Sequence, residues 1–125
     1  MKVLLSIKPE YASRIFDGSK HFEYRRVIFC RQDVKRVVVY ASRPVGKVVG
    51  EFEVGGVLSG TPLSIWRRTE AHAGISRKEF FRYFSGTAIA HAIRVANHVR
   101  YDTPLCLQES FRLSPPQSFL YLAGD

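Results

Sequence analysis

Gly18-Ser19-Lys20-His21-Phe22-Glu23-Tyr24-Arg25-Arg26 is the stretch that decides how this chain folds and where its chemistry sits. Upstream, Lys8-Pro9 opens a helix expected over Glu10 to Asp17, because proline suits a first helical turn and Tyr11, Ile15 and Phe16 fall near one face. Gly18 ends that helix. Downstream, Lys20 to Ile28 mixes aromatic and charged residues and reads as a strand. On a strand Glu23 and Arg25 share a face, so a carboxylate and a guanidinium stand side by side, with Lys20 at the turn. Such a trio suits a phosphate or ribose bound by the cations, while Glu23 accepts hydrogen bonds from a base or positions a water. The same residues also suit a solvated edge strand carrying a Glu–Arg pair.

Strand signals surround this stretch. Val3 to Ile7 reads as a short buried strand, and Arg36 to Ala41 is the clearest strand of the chain. A further strand begins at Lys47, with Val48, Phe52 and Val54 expected on one face and Glu51 and Glu53 on the other. Gly50, Gly55 and Gly56 mark bends or bulges. Thr61-Pro62 starts a helix expected to reach Ala73 and to end at Gly74. Ser76-Arg77-Lys78-Glu79 is a capping box that launches a second helix through Phe84. A long strand is expected from Thr87 to Val99, with Ile89, His91, Ile93 and Val95 alternating with Ala90, Ala92 and Arg94. Pro104 and Pro115-Pro116 break the tail before a last strand, Ser118 to Leu122. This order predicts a single α+β domain over residues 1–125, a small β-barrel of about five to six strands with short helices flanking a cleft.

Composition narrows the function classes. The 125 residues are 46% apolar and 24% charged, which is a globular rather than a disordered profile. Nineteen Lys and Arg against eleven Asp and Glu leave a net charge of +8, which favours encounter with polyanions. Cys30 and Cys106 lie far apart and form no CxxC, so two reduced, partly buried thiols are expected. The apolar run from Met1 to Ile7 is too short for a signal-peptide core or a membrane span, so a cytoplasmic protein without membrane attachment is expected. No HxxxH or CxxC frames His21, His72, His91 or His98, and neither a metal site nor a cofactor is expected. The oligomeric state is not legible. The helix pair from Pro62 to Phe84 has the outline of a helix-turn-helix DNA reader, but Phe80, Phe81 and Phe84 look like core contacts, so DNA is the weaker partner. Its cations, Arg67, Arg68, Arg77, Lys78 and Arg82, suit either a solvated face or a basic surface for phosphates.

The central stretch resembles the GxKxxExR signature of the ASCH family, a branch of the PUA-like superfamily, at Gly18, Lys20, Glu23 and Arg25. Leu5-Ser6-Ile7-Lys8-Pro9, Tyr40-Ala41-Ser42-Arg43-Pro44, the block from Ile75 to Ile93, and Pro115-Pro116-Gln117-Ser118-Phe119 extend the resemblance over nearly the whole chain. The resemblance implies a PUA-like barrel whose signature residues point into a cleft that holds RNA or a modified nucleoside or nucleotide. On that reading Lys20, Arg25 and Arg26 take phosphates, Glu23 a base edge or ribose hydroxyl, and Lys8, Ser42 and Gln117 form the rim. Tyr24 and Trp66 are the candidates for base stacking, with a core role also open to both. The alternative is a small hydrolase with Lys20 and Glu23 as its catalytic couple, either a ribonuclease or an amidohydrolase of the N4-acetylcytidine type. The amidohydrolase pattern has a threonine where this chain has Glu23, and Glu70 and Glu79 are the nearest candidates for its distant acid.

Overall fold

Two strands, β1 (Lys2–Ile7) and β3 (Arg36–Ala41), pair in parallel, and nearly all their residues are buried. Their unbroken apolar runs follow from burial on both faces. Val3, Leu5, Ile7, Val37 and Val39 enter one layer, while Leu4, Val38 and Tyr40 enter the other. Parallel pairing needs a crossover, and α1 (Pro9–Phe16) with β2 (Phe22–Arg25) lies in the intervening chain. The computed structural model describes residues 1–123. After β3 come β4 (Lys47–Gly60), α2 (Pro62–Thr69), a 3-10 turn over Glu70–His72, α3 (Arg77–Tyr83), β5 (Ala90–Leu105), α4 (Leu107–Phe111) and β6 (Phe119–Leu122).

Among the described residues six strands form one sheet in the order β2-β5-β4-β3-β1-β6, antiparallel except for the β1–β3 pair. This is the expected α+β class, but the expected closed barrel is not seen. The ladder runs open from β2 to β6, and these margins are joined by a side chain: Arg25 on β2 donates to the carbonyl of Ser118, next to β6, at 2.9 Å and to that of Ser6 on β1 at 3.2 Å.

Several sequence expectations fail for traceable reasons. In β4 the register shifts between Val39 and Tyr40, which face Gly50 and Val48 respectively, so Val49 is an extra residue. A bulge reverses the side-chain phase of everything beyond it. Val48 therefore packs with Leu4, Val38 and Leu107, whereas Phe52 packs with Val37 and Val39 in the opposite layer. The strand expected over Thr87 to Val99 runs instead from Ala90 to Leu105, through Pro104, leaving Ile89 48% exposed. Ala90 and Ala92 are buried because β5 is covered on that side too, by an aromatic cluster of Phe22, Tyr24, Trp66, Phe80 and Phe84. Helix α4 lay in a tail read as irregular, and its Leu107 seals the second layer. Both cysteines are free, Cys30 being exposed and Cys106 half-buried. Among the described residues no helix is long and apolar enough to cross a membrane.

Candidate nucleotide-binding cleft

Helix α1 stops where the sequence places its end. The N–H of Gly18, at φ +87°, donates to Ile15 O at 3.2 Å, and that of Lys20 reaches back to Arg14 O at 3.0 Å. A positive φ suits glycine. The turn sends the Lys20 side chain inward, to 2% exposure. From there β2 carries Phe22 and Tyr24 into the aromatic cluster, and Glu23 and Arg25 into a cleft of about 360 Å³. The cleft lies between α1, α3, β2 and the segment before β6. Ser6, Ile7 and Lys8 edge it on one side, Tyr11 forms one wall, and Ile75, Glu79, Arg82 and Tyr83 form the other.

The Lys20 ammonium sits 4.4 Å from the centre of the Tyr24 ring and 5.5 Å from that of Tyr11, and donates to Ala73 O at 3.2 Å. Burial pulls its pKa down to about 8; Glu23 and Glu79 oppose the fall and Arg14 adds to it. Gly74 makes room for this arrangement: at φ +68° it lies against Lys20, and a Cβ there would collide with the lysine's Cβ and Cγ. The 3-10 turn is tied to the same place, since the N–H of His21 donates to His72 O at 3.0 Å and the two imidazoles stack at 4.3 Å. Among the described residues, no three His, Cys, Asp or Glu side chains converge in a metal-ligating group.

Glu23 and Arg25 form an ion pair at 3.2 Å with both side chains nearly buried. Across the cleft the Tyr11 hydroxyl donates to Glu79 Oε2 at 2.6 Å, and Ser76 donates to Oε1 at 3.2 Å. Burial first, then the bonded carboxylate, pushes the Tyr11 phenol up to about 12, while those two hydroxyls hold Glu79 below its ordinary value.

The fold brings together Lys8, Lys20, Glu23, Tyr24, Arg25 and Gln117 of the residues singled out from sequence. Two of them fall outside the cleft lining. Ser42 belongs to the turn after β3, where its N–H bonds Ile7 O at 3.0 Å. Arg26 is exposed beyond the end of β2. Tyr24 reaches the cleft but is not a stacking platform. It is 5% exposed, lies under the Lys20 ammonium, meets Phe80 and Phe84 edge-on, and donates to Thr69 Oγ1 at 2.7 Å. Trp66 is a core residue packed on Phe80. Arg25 lines the cleft while three of its five N–H donors go to Ser6 O, Glu23 Oε2 and Ser118 O, which ties it to the protein framework.

The sequence does not single out Tyr11 or Tyr83 for the site; it offers Arg82 only as one cation of a basic helix surface and Glu79 only as a distant acid. The signal was present in helical spacing: Glu79, Arg82 and Tyr83 stand at i, i+3 and i+4, while Phe80 and Phe84 fill the core face. That embedding of α3 between cleft and core accounts for the aromatics that set it apart from a groove-reading helix. Glu70 is exposed and does not line the cleft.

A family model described as the ASCH domain matches residues 5–100. The chain is 35% identical over 124 residues to large ribosomal subunit protein uL22 of Ureaplasma parvum, which covers 96% of this chain and 39% of that protein. It thus spans about two fifths of the length of that relative. It is 30% identical over 129 residues to an ASCH domain-containing ribonuclease of Zymomonas mobilis, covering 99% of this chain and 86% of the relative. The crystal structure of ASCH from Zymomonas mobilis superposes with a TM-score of 0.88 at 31% identity, over 97% of this chain and 87% of that one.

Proposed function

The chain belongs to the ASCH domain family, and from that premise we propose that it binds RNA by seating one nucleotide in the signature cleft. The observation that carries the reading is the convergence, in a cleft of about 360 Å³, of the Lys20 ammonium with the Glu23 and Glu79 carboxylates. A space of that size fits one nucleoside-sized group. Lys20 supplies a charged donor, the carboxylates accept from a base edge or a ribose hydroxyl, and Lys8 and Arg82 at the rim meet phosphates. Arg25 holds the cleft's framework.

RNA cleavage is the second reading, favoured by the pKa of Lys20 near 8 beside Glu23 and by the activity named for the Zymomonas mobilis relative. In that step Glu23 takes the proton of a ribose 2′-hydroxyl as its oxygen bonds to phosphorus. The P–O5′ bond breaks, and the Lys20 ammonium gives its proton to the leaving oxygen. The products are a 2′,3′-cyclic phosphate and a 5′-hydroxyl. The amidohydrolase alternative draws less support, because Glu23 replaces the hydroxyl that its pattern asks for and the Ser6 hydroxyl is engaged with Pro116 O at 2.7 Å.

The test is fluorescence anisotropy with a short single-stranded RNA at several salt concentrations, followed by mass spectrometry of the RNA. Two or three phosphate contacts give a log–log salt slope of about −1.4 to −2, and Lys20→Ala should weaken binding about tenfold or more. A cyclic phosphate formed by wild type and not by Lys20→Ala establishes the cleavage reading. Wild type that holds no RNA, or a variant that binds as well, refutes the cleft as the RNA site.

A further inference from the structure

Tyr83 is a large side chain that the cleft leaves open. It ends α3, is 40% exposed, and lines the cleft mouth. Two contacts fix it. Its hydroxyl accepts from the Arg26 N–H at 3.3 Å, and its ring meets that of Phe84 edge-on with centroids 4.8 Å apart. A ring already held in place loses little freedom when a base stacks on its open face. Two exposed arginines flank it. Arg82 precedes it on α3 and also lines the cleft, while Arg26 lies at the other end of the hydroxyl's hydrogen bond. Among the described residues neither guanidinium is held in an ion pair. Arg26, outside the cleft lining, thereby finds a place beside it.

We propose that Tyr83, Arg26 and Arg82 form a second nucleotide subsite next to the cleft, where an unpaired base stacks on the ring and its phosphates meet the two guanidiniums. This rests on the RNA reading above and narrows it. The ligand is a single-stranded RNA of at least two nucleotides, not a free nucleoside, because pairing would keep the bases stacked on each other and off the ring.

Three probes test it by anisotropy or calorimetry: a single-stranded RNA hexamer, the same hexamer annealed to its complement, and cytidine 5′-monophosphate. Wild type should prefer the single strand to either of the others by about tenfold. Tyr83→Leu keeps an apolar contact with Phe84 but has no ring face, and should weaken hexamer binding about tenfold and mononucleotide binding by a clearly smaller factor, since Tyr83 also lines the cleft mouth. Tyr83→Phe keeps the ring and its edge-on contact with Phe84 but gives up the Arg26 N–H bond, and should retain most of the hexamer binding that Tyr83→Leu loses. Arg26→Gln and Arg82→Gln should each flatten the salt slope by about 0.7. Hexamer binding that survives in Tyr83→Leu but is lost in Lys20→Ala overturns the subsite alone. An equal loss of hexamer and mononucleotide in Tyr83→Leu also overturns it. Wild type that holds no RNA overturns both the subsite and the reading beneath it.

Discussion

Replacing Arg25 with alanine should cost this protein a large share of its stability. The guanidinium donates to Ser6 O at 3.2 Å, Ser118 O at 2.9 Å and Glu23 Oε2 at 3.2 Å. The Glu23 side chain is only 6% exposed, so the substitution leaves a carboxylate in the cleft floor without its ion-pair partner, the Lys20 ammonium being the cation that remains nearby. Breaking one side of a buried pair costs about 3–5 kcal/mol. The two carbonyls add little beyond that, because space vacated at the cleft edge admits water to them. A loss of about 4 kcal/mol is therefore expected, against a total of about 5–15 kcal/mol for a domain of this size. The assay is urea unfolding followed by circular dichroism. With a slope of about 2 kcal/mol/M the midpoint should fall by about 2 M. The double-mutant cycle with Glu23→Gln isolates the pair. In that background Arg25→Ala should cost about 2 kcal/mol less, since no stranded charge remains. Arg25→Lys should recover only part of the loss, because an ammonium does not span three acceptors set for a planar fork. An Arg25→Ala loss below about 1 kcal/mol with an unchanged slope would refute the assignment of this arginine to the framework.

The pH dependence of Lys20 has a definite sign. Its folded pKa of about 8 lies below the ordinary 10.5, so between these values the unfolded chain binds the extra proton and stability rises with pH. Lys20→Met removes that dependence, and the wild type should gain about 3 kcal/mol relative to the variant from pH 8 to 10.5; a flat difference in urea unfolding contradicts the buried ammonium. Gly74→Ala should destabilise by about 2 kcal/mol or more and weaken RNA binding, since the new methyl group collides with Lys20 in a backbone conformation that alanine resists. Unchanged affinity in a folded Gly74→Ala would sink the coupling. Glu79→Gln should bring the Tyr11 phenol, raised to about 12, part of the way back toward 10, with burial accounting for what remains. Ultraviolet titration of tyrosinate reads this, and a titration curve identical to wild type excludes the Tyr11–Glu79 bond.

The helix stop at Gly18, the side-by-side Glu23 and Arg25, and the continuous apolar strands were legible because each depends on neighbours within a few residues. Features set by long-range pairing were not. Gly50 marked a bend or bulge in β4, but nothing local made Val49 the extra residue or showed that the bulge moves Val48 and Phe52 into opposite layers. For Tyr24 the sequence left a stacking surface and a core role both open; the burial that decides comes from Thr69, Phe80 and Phe84, more than forty residues away. Arg25 read as a phosphate ligand for a similar reason, its acceptor at Ser118 being 93 residues distant. Glu79 is the opposite case. The capping box with Ser76 was visible, and the second task of its carboxylate, accepting from Tyr11, was not.

The open ladder has a consequence for how this molecule behaves in company. A sheet margin offers unpaired N–H and C=O groups to any strand that arrives from another molecule, and short margins with inward charges discourage the arrival. Both margins here, β2 and β6, are four residues long, and the charged pair of β2 points inward and reaches across to the chain before β6. Valine or isoleucine at positions 23 and 25 would raise strand propensity and at the same time unlatch one margin from the other. Such variants should lose solubility as concentration rises, in the manner of intermolecular strand addition, so the charges in the cleft also keep one copy of the protein from growing onto the next.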